Sequence, residues 1–156
     1  MTAKISSFKG EYEFLSNFYR VDVELDGQRY PSVEHAFQAA KTEDSTQRAW
    51  IYMARDAGEA KRRGRKVTLR DGWDGMRIEV MLDLLRQKFD VPALRLLLAV
   101  TGDAVLEEGN WWGDRFWGTV RGEGENWLGL LLMHVRKEVV KGEPITIVLK
   151  PRGYDW

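Results

Sequence analysis

A mostly helical chain with a little strand, folded as one domain over residues 1–156, is what the sequence predicts. Three observations predict it. Most segments place apolar residues at helical spacing behind a capping residue. Strand-like alternation is confined to short runs. At 156 residues, 44% of them apolar, the chain holds one sizeable core.

The elements follow in order. Phe8 to Tyr19 is aromatic-rich, lacks helical period and contains the turn signal Ser16-Asn17. Such a loop either sandwiches a flat ring or is stitched to the core by its Phe and Tyr side chains. Val21, Val23 and Leu25 alternate with Asp22 and Glu24 at strand period. Asp26-Gly27 supplies a two-residue hairpin turn into Gln28-Arg29-Tyr30. Pro31 keeps Tyr30 extended, and Ser32 is placed to cap a helix through Lys41.

Ser45 is read as the cap of a second helix to about Ala54, and Asp56 to Arg65 as a short charged helix ending at Gly64. A long, broadly apolar helix spans about Asp74 to Phe89. Pro92 opens the next, which runs to about Thr101. Ala104 to Glu108 reads as a short strand. Asn126 is read as the cap of a last helix, about Trp127 to Val140, in which Gly129 lets a neighbour come close. Ile145 to Leu149 reads as a late strand, pairing with Ala104–Glu107 or with the hairpin; Pro151 to Trp156 has no assigned role.

Composition excludes several functions. With 24 basic and 24 acidic residues, no net field steers the protein toward nucleic acid or membrane, so a bound anion needs a local patch. Cysteine is absent, which removes disulfides and thiolate chemistry and is compatible with a cytoplasmic setting. The N-terminus has no signal-peptide core, and no apolar run approaches a membrane span. Neither histidine, His35 or His134, sits in a nucleophile motif or a metal-ligand cluster, and the phosphate-binding glycine fingerprints are missing. No metal and no cofactor are expected. His35 reads as a packing residue.

Two stretches carry chemistry. In the first, Glu34, Gln38 and Lys41 fall at i, i+4 and i+7, a polar line on a helix otherwise built from Val33, Ala36, Phe37, Ala39 and Ala40. A carboxylate, an amide and an ammonium are costly on a buried helix. They either brace one another or face a cleft. In the second, Glu108 to Gly118, three Trp, one Phe and three Gly surround Asp114. Asp114 is read as functional, the alternative being a turn-former that caps local N–H groups. The run Lys61, Arg62, Arg63, Arg65 and Lys66 is either a solvated face or an anion site. Separated carboxylates with aromatic walls suit glycosidic cleavage, and a desolvated Lys41 could trap a ring-opened ribose as a Schiff base.

Phe14-Leu15-Ser16-Asn17-Phe18-Tyr19, Tyr30 to Lys41, Trp112-Gly113-Asp114-Arg115-Phe116-Trp117-Gly118 and Gly124-Glu125-Asn126-Trp127-Leu128-Gly129, in this order, closely resemble the NADAR (YbiA-like) family. The likeness runs from about residue 8 to about residue 141. It implies a compact, mostly helical α+β domain with a small sheet. It also implies hydrolysis of an N-glycosidic bond between a phosphorylated ribose and an amine.

Two substrate classes are associated with the family: ADP-ribose on the amino group of guanine, which is the first expectation, and ribosylamino-pyrimidine phosphates of riboflavin synthesis. A non-catalytic ADP-ribose-binding module is the third reading. The implied partners are ADP-ribose or a phosphoribosyl-amine, with ADP-ribosylated DNA or RNA as the macromolecular form and no membrane; a toxin ADP-ribosyltransferase partner is compatible with it. Carried onto this chain, Glu34 is the general acid/base, Lys41 contacts the anomeric centre, and Asp114 positions ribose or water. Trp112 and Trp117 wall the base side, with Asn17 and Phe18 opposite, and Arg65 contacts phosphate. Gln38, Gly118 and Asn126 complete the expected substrate contacts.

Overall fold

The computed structural model describes residues 3–142. The strand expected at 145–149 and the tail 151–156 lie outside them. The chain divides into two compact units, one of residues 16–88 and one formed by residues before 16 and after 88.

The unit of residues 16–88 begins with an antiparallel hairpin, β2 (Arg20–Leu25) and β3 (Gln28–Ser32). Asp26 and Gly27 both take positive φ, +50° and +81°, the twist that a two-residue hairpin turn requires. Leu25 faces Gln28 across the turn, and the register breaks between Arg20 and Val23. Of β2, only Val23 is fully buried.

β3 runs straight into α1 (Val33–Ala40), whose eight residues are all buried. Ser32 caps it as expected, its side chain accepting the His35 N–H. This helix is the hub of the unit, packing against β2, β3, α2 (Ser45–Tyr52), α3 (Ala57–Gly64) and α4 (Trp73–Lys88). The cap of α2 is Asp44 and not Ser45: the Asp44 carboxylate accepts the Gln47 N–H, which leaves Ser45 inside the first turn. A carboxylate at this position also complements the helix dipole, which a hydroxyl does not. Asp56 caps α3 by accepting the Glu59 N–H. Phe37 of α1 packs on Trp73 of α4, ring centroids 5.2 Å apart.

In the other unit, β1 (Lys4–Ile5) pairs in parallel with β4 (Val105–Leu106), so the short strand expected at 104–108 finds its described partner at the N-terminus. Gly10–Leu15 winds into a 3-10 helix. No α-helical spacing announces it, because a period of three, interrupted by aromatics, does not match 3.6 residues per turn. α5 (Pro92–Ala99) opens on Pro92 as expected.

α6 (Trp127–Lys141) follows Asn126, but Asn126 does not cap it. Its backbone is left-handed, φ +55°, and its amide reaches away from the helix, accepting from the Glu108 N–H at 3.0 Å and donating to the Leu106 carbonyl at 3.0 Å. Gly129 makes this possible, since a Cβ there would stand 2.0 Å from the Leu106 carbonyl oxygen. Arg136, also from α6, donates to Ala104 O at 2.8 Å and holds the start of β4. Among the described residues no helix is long and apolar enough to cross a membrane.

Candidate active site

The unit of residues 16–88 brings together Asn17, Phe18, Glu34, Gln38, Lys41 and Arg65. Their scaffold is α1. Its i, i+4 spacing sets Gln38 one turn beyond Glu34, and the Gln38 amide donates to Glu34 Oε1 at 2.8 Å. Both side chains are buried, Glu34 to 7% and Gln38 to 5% exposure. The other end of the Gln38 amide, Oε1, has no hydrogen-bond partner. It lies against Gly64 of α3, where a Cβ would stand 1.9 Å away. Gln38 is therefore wedged between α3 and the Glu34 carboxylate. From there its amide orients the Glu34 carboxylate. Gly64, read from sequence only as a helix stop, is what admits it.

Lys41 follows the last turn of α1 and is half-buried. Burial pushes its ammonium below the ordinary lysine value. The Glu34 carboxylate opposes that shift, and the cations of Arg65 and Lys61 reinforce it. The result is an amine more easily deprotonated than a surface lysine, beside a buried carboxylate. Arg65 itself is exposed at the C-terminal end of α3, within electrostatic reach of Lys41.

Not all of the basic run is available to an anion. Arg63 is held by Glu59 and by the Trp50 carbonyl, with its guanidinium 5.0 Å from the Trp50 ring. That arginine has the structural role, whereas Arg62, Arg65 and Lys66 are exposed.

Asn17 is placed by its own backbone: its carbonyl accepts the Glu34 N–H at 3.1 Å, which joins the Ser16–Tyr19 turn to the start of α1. Phe18 beside it is 46% exposed, with the edge of its ring near Gly58 of α3. His35 has the expected packing role. A carbonyl can only accept, so the contact of Nε2 with Ala54 O at 3.0 Å fixes the proton on that nitrogen, and Nδ1 accepts from the Ser32 hydroxyl at 2.7 Å. Burial lowers its pKa, which keeps the ring neutral.

Trp112, Asp114, Trp117, Gly118 and Asn126 belong to the other unit. There Asp114 Oδ1 accepts two N–H groups, from Phe116 at 3.0 Å and Trp117 at 2.9 Å. Asn110 closes the same loop, accepting the Asp114 N–H at 3.0 Å and donating to its carbonyl at 2.8 Å. This is the turn-forming alternative in full for that oxygen. Gly118 admits the chain itself: a Cβ there would stand 2.0 Å from the Glu108 carbonyl and 1.9 Å from its carboxylate. Trp112 meets Trp111 edge-on at 5.8 Å and Trp117 meets Phe116 edge-on at 4.9 Å, so Trp112, 43% exposed, is the more open wall. Among the described residues no group of three or more His, Asp or Glu could hold a metal ion.

The chain is similar to several known proteins. Residues 6–140 match the NADAR domain. The N-glycosidase YbiA of Escherichia coli is 37% identical over 137 residues, covering 85% of each chain. A riboflavin biosynthesis protein of Vibrio vulnificus is 39% identical over 140 residues, covering 86% of this chain but only 38% of that longer protein. The NMR structure of E. coli YbiA superposes with a TM-score of 0.78 at 36% identity, over 91% of this chain and 88% of that one. The α+β fold, the ordered motifs and these likenesses agree: the chain belongs to the NADAR family.

Proposed function

We propose that the protein is an N-glycosidase that cleaves the bond between a phosphorylated ribose and an amine. The observation that carries this reading is the buried Glu34 carboxylate, oriented by Gln38 and set beside an amine whose ammonium is disfavoured. In the reaction the ribosylamine opens to an imine, and the free amine of Lys41 adds to C1′. The Glu34 carboxylate takes the proton that the Lys41 nitrogen sheds on bonding to C1′ and passes it to the departing nitrogen. Water then adds to the Lys41 imine with Glu34 relaying its proton to the lysine nitrogen, which releases the ribose aldehyde and restores the amine. Arg65 holds phosphate and Phe18 offers a flat face to a base. The names of the N-glycosidase YbiA relatives support the bond class.

For the substrate, ADP-ribose on the guanine amino group remains the first reading, because it joins a ribosyl amine to a phosphate and to an aromatic base. A second reading, the ribosylamino-pyrimidine phosphates, is favoured by two relatives named as riboflavin biosynthesis proteins, from Vibrio vulnificus and Zea mays. Mass-spectrometric turnover on both substrates side by side separates them. Free ADP-ribose with intact guanine supports the first, cleavage of the pyrimidine phosphate alone supports the second, and cleavage of neither rejects the glycosidase reading.

The same assay gives a pH prediction. Lys41 must be neutral to attack, so kcat/KM rises with pH through its pKa, which burial places below the ordinary lysine value. Arg65→Ala removes one of the cations that disfavour the ammonium. The rising limb therefore moves to higher pH, while KM for a phosphorylated substrate increases. A limb that stays in place in Arg65→Ala contradicts the assignment of Lys41.

A further inference from the structure

Lys88 is a buried titratable group that the reaction above does not use. It ends α4 with 0% exposure, where an apolar side chain would fill the slot without desolvating a cation. Its Nζ donates to the Ser16 carbonyl at 2.7 Å, across 72 residues of sequence, and lies 5.5 Å from the Tyr19 ring.

That contact falls on the turn bearing Asn17 and Phe18, which is pinned at several other polar atoms. Ser16 O also accepts the Tyr19 N–H at 3.1 Å, and Ser16 Oγ accepts the Phe18 N–H at 3.1 Å. Asn17 O accepts the Glu34 N–H. Asn17 Nδ2 donates to Met81 Sδ at 3.5 Å, and because a thioether can only accept, this fixes which way the amide faces. Met81 and Lys88 are seven residues apart, on one face of α4. What remains is Asn17 Oδ1, on a side chain 8% exposed, buried and without a hydrogen-bond partner. A buried carbonyl oxygen with no donor is costly, and it is matched when a ligand supplies one.

We propose that Lys88 is a positioning residue: it clamps the Ser16–Tyr19 turn so that Asn17 Oδ1 stands as a preset acceptor for a hydroxyl of the substrate ribose. The identity of the donor rests on the N-glycosidase reading; the clamp does not. Lys88 acts through Asn17 and touches no reacting atom. Its removal loosens the turn and weakens binding of hydroxylated sugar, with little effect on the chemical step.

The test has a ligand-free arm and a kinetic arm. In the ligand-free protein, Lys88→Met speeds amide hydrogen exchange at Phe18 and Tyr19 by about tenfold or more, and Lys88→Arg, which keeps a donor, restores part of the protection. Unchanged exchange at both amides overturns the clamp, whether or not any substrate is turned over. In kinetics, Lys88→Met raises KM by about tenfold, one hydrogen bond's worth, with kcat within about threefold.

Asn17→Ala raises KM similarly and removes the preference for a ribose over a 2′- or 3′-deoxyribose substrate. The double variant is no worse than Asn17→Ala alone, because both changes remove one interaction. Penalties that multiply in the double variant show that Lys88 is only a structural brace and overturn the proposal. If Lys88→Met does not fold, the Lys88→Gln and Asn17→Ala pair carries the same cycle. A wild-type protein inactive on every phosphoribosyl amine rejects the glycosidase reading, and the exchange arm still decides the clamp.

Discussion

Glu34→Gln lowers kcat by about 10²–10⁴-fold and leaves the thermal transition nearly unchanged. The two side chains have the same shape. The Gln38 Nε2 that now donates to Glu34 Oε1 can donate equally to an amide oxygen, so the wedge between α1 and α3 persists. What disappears is the proton that the departing nitrogen needs. Ligand affinity therefore survives while turnover does not, and a binding titration beside a turnover assay separates the two. A variant with wild-type turnover removes Glu34 from the chemistry. So does one that loses binding and turnover together, because it then acts through structure.

Gly64→Ala is expected to destabilise the protein by about 2–3 kcal/mol and to lower its melting temperature by several degrees. The new methyl group would meet Gln38 Oε1 at 1.9 Å, Cδ at 2.6 Å and Cβ at 2.9 Å, on a side chain buried in the unit. If Gln38 is displaced, the hydrogen bond that orients Glu34 is lost, so turnover falls as well. Adding Gln38→Ala removes Oε1 and Cδ and leaves only Cβ, 2.9 Å from the new methyl. The double variant thus regains most of the stability and little of the turnover. Recovery of both together would show that Gln38 has no part in orienting the carboxylate. Calorimetry and the turnover assay on the two variants decide it.

Local chemistry was legible in the sequence, and distant contacts were not. The Ser32 cap, the Asp26-Gly27 turn and Pro92 at a helix start all follow from residues within a few positions of one another, where sterics and hydrogen bonding act directly. The Glu34–Gln38 contact was readable for the same reason, being one helical turn long. The cap expected at Ser45 falls one residue earlier, at Asp44, because both side chains are of capping type and spacing does not separate neighbours. Asn126 shows a further limit: it sits where a cap should, but its left-handed backbone turns the amide toward Leu106 and Glu108, a geometry set by tertiary packing against Gly129. The pairing of Lys4–Ile5 with Val105–Leu106 and the hold of Lys88 on Ser16 join positions 101 and 72 residues apart, and nothing in the local pattern announces them. Asp114 was half legible, since its place in a Gly/Trp loop fitted either role and only the structure shows Oδ1 taking the Phe116 and Trp117 amides.

The start of α1 has one more consequence. A helix N-terminus is ordinarily a ready cradle for phosphate, because its first N–H groups point outward without partners. Here the Glu34 N–H is taken by Asn17 O and the His35 N–H by Ser32 Oγ. Two of those N–H groups are thus matched by the protein's own oxygens, so on the proposed reading a ligand phosphate falls to exposed side-chain cations such as Arg65. Attraction between exposed charges is screened by dissolved ions, whereas a contact with buried amides is not. On that reading, affinity for the phosphorylated end of the ligand is tied to ionic strength, while recognition of its sugar by the buried Asn17 amide is insulated from it.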